Sequence, residues 1–181
     1  MGAEGEGGEK ASQAACATPE CPLCRPVVAR FLVPALALAL LDQASKWLVV
    51  TRMGPGASRP VLGSFMSLTR AANSGAFFSL FASAAGALTV VGAVLAAVVV
   101  VWGWRAARTQ PQMLAPLALI LGGALGNLVD RAARGQVVDF LDFHFWPVFN
   151  VADVALTLGV FLAAWRLIRS TSPCEQGEGV G

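Results

Sequence analysis

The chain has 181 residues, 56% of them hydrophobic and 13% charged, with a mean hydropathy of +0.64. That is too apolar for an ordinary soluble domain of this size and points to one small integral membrane domain. The formal charge is +2, and the 13 basic residues are scattered along the chain where a nucleic-acid-binding protein groups them into a patch, so no nucleic-acid partner is expected.

Residues 1–26 are acidic, Gly-rich and without an apolar core, which predicts a disordered cytoplasmic tail and no cleavable signal peptide. The tail carries Cys16, Cys21 and Cys24, and a fourth cysteine, Cys174, lies in the Ser/Gly/Glu-rich segment 170–181, also expected to be a disordered cytoplasmic tail. The Cys-Pro-Leu-Cys stretch can be read as half a zinc site or a redox pair. A zinc knuckle brings a second paired motif, which Cys174 alone does not supply, so the expectation is free thiols in a reducing compartment and no metal.

Between the tails, residues 27–169 form the expected membrane domain. Four stretches approach the roughly 20 apolar residues needed to cross a bilayer core: Val27 to Val50, Ala84 to Trp104, Met113 to Val129 and Val151 to Ile168. Arg25 and Arg30 precede the first, Arg105 and Arg108 follow the second, and Arg166 and Arg169 close the fourth. By the positive-inside rule that face is cytoplasmic, which puts both termini inside; Arg52, Arg59, Arg70, Arg131 and Arg134 then face outward.

Two outward segments remain. Thr51 to Ser83 begins with the turn-rich run Gly54 to Ser58 and predicts a small β-rich lid on the membrane surface. Arg131 to Phe149 carries Phe140, Phe143, Phe145, Trp146 and Phe149 and predicts a second, interfacial loop, since aromatic rings favour the headgroup level.

The acids are segregated. All five aspartates, Asp42, Asp130, Asp139, Asp142 and Asp153, lie in the hydrophobic body, and all six glutamates lie in the tails. A carboxylate in or beside a span costs several kcal/mol unless it is paired or reaches water, so each needs a reason. Asp42 and Lys46 stand one helical turn apart and read as an ion pair near the outer end of the first span, with Lys46 snorkelling to the headgroups. Asn127 with Asp130, and Asn150 with Asp153, each put an amide and a carboxylate on one helical face. For the fourth span this is also the pattern of an N-terminal cap, and for the third Gly126 and Asn127 can simply loosen a helix end.

Asp139 lies in a β-branched and aromatic stretch, Gln136 to Phe143, where side chains alternate, so Asp139 and Asp142 point to opposite faces and only one can look at the fourth span. The chain from Asp139 to Asp153 is long enough to fold back and bring these two together. Two close aspartates cannot both stay ionised cheaply; one keeps a proton while the other acts as base, which is the apparatus of an aspartic protease. Arg131, Asn73, Asn127 and Asn150 are candidates to orient substrate or stabilise an oxyanion. Serine hydrolysis would have to use His144 without a G-x-S-x-G elbow, and a zinc protease lacks its H-E-x-x-H.

Five blocks in order, Leu41 to Lys46, Asn73 to Ser79, Gly122 to Arg131, Val137 to Phe140 and Phe149 to Asp153, resemble the lipoprotein signal peptidases (signal peptidase II), over about residues 27–169. The resemblance implies a mainly α, four-helix integral membrane fold with a small β-rich lid, in the bacterial inner membrane, with an active site near the outer face. It implies an aspartic endopeptidase that cleaves diacylglyceryl-modified prolipoproteins before the lipidated cysteine, needing no cofactor, with membrane lipid as its surroundings; separately, a monomer is expected. The catalytic pair falls on Asp139 and Asp153; Asn73, Asn127, Arg131 and Asn150 match substrate-site positions, and Asp42, Lys46 and Asp130 supporting ones. The chain departs from the family at Phe77, where a small residue is more usual, and in the extra acid Asp142.

Other classes predict other patterns. An ion pathway spreads its acids through the membrane depth, whereas Asp130, Asp139, Asp142 and Asp153 gather at one surface. A thiol oxidoreductase places cysteine pairs at the outer ends of spans, and an inert assembly partner has no chemical need for either Asp139 or Asp153.

Overall fold

The computed structural model describes residues 24–74 and 85–170; Cys16, Cys21, Cys174 and Phe77 lie outside them. Helix α1 (Cys24–Arg52) leads into a hairpin of β1 (Ser58–Leu62) and β2 (Met66–Asn73). Helix α2 (Ala85–Thr109) connects through a 3-10 turn (Pro111–Met113) to α3 (Leu114–Arg134), and β3 (Val137–Asp142) precedes α4 (Val151–Ser170). All four helices are long and apolar enough to cross a membrane.

Helix α3 is the axis of the bundle and packs against each of the other three. Its glycines explain how. A β-carbon on Gly122 would meet the carbonyl oxygen of Ala35 at 2.7 Å, and one on Gly123 would meet that of Ala152 at 2.4 Å. Without side chains there, α1 and α4 approach α3 backbone to backbone, the usual device of helices whose apolar surfaces gain nothing by leaving lipid. The outer faces of the bundle are apolar and exposed, as at Leu40, Val90 and Phe161, where lipid takes the place of a core.

The third helix does not loosen at Gly126 and Asn127. It runs on to Arg134 and stops at Gly135, whose φ of 70° is the left-handed C-cap that glycine adopts without strain. Gly126 instead makes room, because a β-carbon there would sit 2.6 Å from Oδ2 of Asp42.

The lid and the interfacial loop, expected as separate pieces, form one antiparallel sheet of order β1-β2-β3. Strand β2 lies in the middle, with Ala71 opposite Asp139 and Asn73 opposite Val137. Beyond β3 the chain turns through His144 (φ 63°), and Leu141 and Phe149 pair as an antiparallel bridge. Three backbone bonds close that turn, from the N–H groups of Phe140 and Leu141 to the Phe149 carbonyl and from the N–H of Phe149 to the Leu141 carbonyl. This fold-back carries the start of α4 against β3.

Candidate active site

Asp139 is 3% exposed, and both its oxygens accept hydrogen bonds. Asn73, diagonal to it across the β2–β3 ladder, donates its Nδ2–H to Oδ2 at 3.0 Å. Asn150, brought in by the Leu141–Phe149 bridge, donates Nδ2–H to Oδ1 at 2.6 Å. Asn150 also opens α4 as its cap: its Oδ1 accepts the backbone N–H of Asp153 at 3.0 Å, and its own N–H donates to Asp153 Oδ2 at 3.2 Å. The capping pattern read in the sequence is present, and the same amide that caps the helix ties one acid to the other.

Asn127 on α3 completes the link. Its Nδ2–H donates to Asp153 Oδ1 at 2.8 Å, and its Oδ1 accepts from Asn150 at 3.1 Å and from the Lys46 ammonium at 3.0 Å. Asp153 is half-buried where Asp139 is closed off. Burial lifts the Asp139 carboxyl from 3.8 to about 6; the N–H of Asn73 opposes the rise, the negative charge of Asp153 adds to it, and Asn150 and the Lys46 charge oppose it.

Lys46 does not snorkel. It is fully buried, and its three N–H donors go to Asp42 Oδ2 at 2.7 Å, Asp130 Oδ2 at 2.9 Å and Asn127. An ammonium with all three donors satisfied inside has no reason to reach for water. Asp130 also pairs with Arg134 one turn on and accepts the backbone N–H of Val138 at 3.2 Å, while Asp42 accepts that of Ala152 at 2.9 Å. These two carboxylates therefore peg the strand of Asp139 and the helix of Asp153 to the bundle. Lys46 and Arg134 are set against Asp42 and Asp130, and no ion pair reaches Asp139 or Asp153 among the described residues.

Of the nine residues singled out from the sequence, eight converge: Asp42, Lys46, Asn73, Asn127, Asp130, Asp139, Asn150 and Asp153. Arg131 does not join them. It is half-buried, no described carboxylate pairs with it, and its carbonyl accepts the Gly135 N–H at 3.0 Å. Two further participants are not singled out by the sequence: Gln43 donates to the Gly126 carbonyl at 2.9 Å and to Asp130 at 3.3 Å, and Arg134, an outward charge by the arginine pattern, pairs with Asp130. The four-residue spacing of Asp130 and Arg134 was the available signal.

Asp142 stays apart, bonded by Thr69 Oγ1 at 2.8 Å and the His144 N–H at 2.9 Å. The His144 N–H first, and Thr69 second, hold its carboxyl below the usual range. His144 contacts Asp142 and Ser67 and none of the clustered groups among its described bonds. Beside Asp153 a cavity of about 440 Å³ opens, walled by Phe65, Phe143, Phe145, Phe149 and Leu158. Phe143 stacks on Phe149 and meets Phe65 edge to face.

The family model for Signal peptidase (SPase) II matches residues 34–169. The lipoprotein signal peptidase of Moorella thermoacetica is 45% identical over 149 residues, covering 82% of this chain and 97% of its own length. That of Pelotomaculum thermopropionicum is 40% identical over 148 residues, covering 82% and 97%. A solved bacterial membrane enzyme, determined by the in meso method at 2.3 Å resolution, superposes with a TM-score of 0.75 at 30% identity, over 81% of this chain and 92% of that one.

Four bilayer-length helices and the match to the family model define a multi-pass membrane peptidase of the aspartic type. The chain belongs to the signal peptidase II family, the enzymes that remove signal peptides from prolipoproteins.

Proposed function

We propose that this peptidase cleaves diacylglyceryl-modified prolipoproteins immediately before the lipidated cysteine, with Asp139 and Asp153 as its catalytic pair. The observation that carries the reading is the double bridge through Asn127 and Asn150, which holds two unpaired acids together at one end of the bundle. We assign the shared proton to Asp139, the more deeply buried of the two, because burial disfavours its charged form and lifts its carboxyl above the usual range. Asp153, the more open of the two, takes a proton from water as the oxygen attacks the scissile carbonyl. Asp139 donates a hydrogen bond to the carbonyl oxygen, and a proton then reaches the leaving amine as the tetrahedral intermediate collapses.

Asn73 and Asn150 hold Asp139 by donation, and Asn127 holds Asp153, so the pair keeps its geometry while protons move. The aromatic cavity beside Asp153 suits the apolar part of a lipidated substrate, and Arg131 at the end of α3 is placed among the outward arginines to meet polar substrate groups. The site lies at the outer face with both termini cytoplasmic, the orientation that the arginine pairs at the opposite helix ends favour. A single chain supplies every group in this scheme.

The test is cleavage by the purified, detergent-solubilised protein of a diacylglyceryl-modified precursor and its unlipidated twin, followed as a gel shift. Cutting of the lipidated precursor alone, lost in Asp139→Asn and in Asp153→Asn, is the expected result. A folded wild type that cuts neither, or a dyad variant that stays fully active, overturns the proposal.

A further inference from the structure

The buried cluster on α1 contains a group that the proposed reaction does not use. Lys46 donates three hydrogen bonds and accepts none, and the third goes to Asn127 Oδ1. A primary amide has two ends that differ only in being O or NH2, and a free Asn side chain presents either. Against an ammonium only the oxygen end can face inward. We propose that Lys46 is a positioning residue for catalysis: its ammonium locks the amide of Asn127 with Oδ1 inward, so that the Nδ2–H is always presented to Asp153.

The lock propagates one step. Because Asn127 Oδ1 is the acceptor at this junction, Asn150 must turn its Nδ2–H toward it and toward Asp139, which leaves Asn150 Oδ1 for the Asp153 N–H. The polarity of both amides that bridge the acids is thus set from one buried charge on another helix. Reversing either amide would put a carbonyl oxygen against a carboxylate, with a buried unsatisfied donor left behind. Asn127 is 7% and Asn150 0% exposed, so water is not at hand to make up the loss. The same positive charge bears on Asp139, favouring its ionised form.

This inference rests on the reading of Asp139 and Asp153 as the catalytic pair, and its test separates the two. Lys46→Met alone leaves Asp42 a buried carboxylate without its cation, beside Asp130, which keeps only Arg134, and this destabilises the bundle. The comparison is therefore made in an Asp42→Asn background, where Lys46→Met removes the ammonium and Lys46→Gln replaces it with a neutral N–H donor. Four quantities are read: melting temperature, kcat and KM on the lipidated precursor, and the titration of Asp139 by its infrared carboxyl band, assigned by difference against Asp139→Asn. The charged groups that bear on that carboxyl are Asp153 on α4 and Lys46 on α1; Asp130 and Arg134 on α3 pair with each other and stay constant in every variant, and residue 42 is neutral throughout.

Relative to the Asp42→Asn parent, the Met variant is expected to lose kcat by on the order of tenfold or more with KM little changed, at a similar melting temperature. The Gln variant recovers part of that loss, since it can still donate to Asn127. In both, the Asp139 titration moves upward, because a nearby cation has gone. A folded Met variant with parental kcat overturns the proposal, whether or not the titration has moved. If the Met variant does not fold, the Gln variant decides by kcat: a value below the parent's supports the proposal and a parental one overturns it, because a neutral amide can present its oxygen as readily as its N–H and does not hold Asn127 one way round. Activity persisting in Asp139→Asn would sink the dyad and this inference with it, whereas a parental kcat in the folded Lys46→Met variant, beside inactive Asp139→Asn and Asp153→Asn, would sink this inference alone.

Discussion

Asn150 and Asp153 cap one another: the N–H of each is bonded to the side chain of the other, at 3.2 and 3.0 Å. The start of α4 and the candidate active site are therefore the same object. Replacing Asn150 by Ser keeps a capping oxygen but cannot reach Asp139, whereas Ala loses both. The expectation is that Asn150→Ala destabilises by about 1 kcal/mol more than Asn150→Ser, while both cut turnover on the order of a hundredfold. Thermal melts beside cleavage rates separate the two effects.

Asp139→Asn and Asp153→Asn should each reduce cleavage of the lipidated precursor by on the order of a thousandfold with the fold intact. Asp142→Asn should keep its activity, because Asp142 is bonded to Thr69 and His144 and not to the cluster. Parallel rate measurements on the three proteins, with circular dichroism as the control, check this.

The pH dependence follows from Asp139. Its folded value of about 6 lies above the ordinary 3.8, and the proposed reaction needs it protonated, so kcat/KM should fall as pH rises through about 6. Bound substrate that excludes water raises the value further, and the limb in kcat should lie above the limb in kcat/KM. For stability the sign is the same. Between 3.8 and about 6 the folded state binds more protons than the unfolded one, so the contribution of Asp139 is full below 3.8 and lost as pH climbs through 6. Initial rates and melts across pH 4 to 8, at fixed detergent and salt, report both.

Gly123→Ala brings a β-carbon to 2.4 Å from the Ala152 carbonyl, a backbone atom that cannot swing away. The helices must part, at a cost of about 1–3 kcal/mol. Ala152 neighbours Asp153 and donates its N–H to Asp42, so activity should drop with stability. Gly92→Ala, where the nearest atom is a Leu128 methyl at 3.9 Å, is the matched control and should change neither.

Much of this was legible in the chain. Four spans follow from apolar length, and the Asn-x-x-Asp spacing on two helices predicted a shared face that the structure uses at Asn127, Asp130, Asn150 and Asp153. Alternation along β3 separated Asp139 from Asp142, and their different partners bear that out. Local spacing could not reveal partners brought in from far along the chain. Lys46 was paired with Asp42 four residues away and so assigned to the headgroups, whereas Asp130 and Asn127 on another helix hold it inside. The union of lid and loop in one sheet was hidden for the same reason, since β2 and β3 are separated by two membrane spans. Gln43 carries no charge pattern to betray it, and its contacts to Gly126 and Asp130 exist only once α1 and α3 are packed.

The backbone contact at Gly123 fixes more than the closeness of two helices. It sets how far α4 can slide along α3, and Asp153 is only the third residue of α4. One helical turn is about 5.4 Å along the axis, so a slip of a single turn would carry the acid out of register with Asp139, which is fastened to the sheet. The seam of small residues thus acts as a ruler. It holds the acid at a constant height whatever the thickness of the surrounding lipid, and in the proposed reaction only a peptide bond presented at that height meets both carboxyl groups.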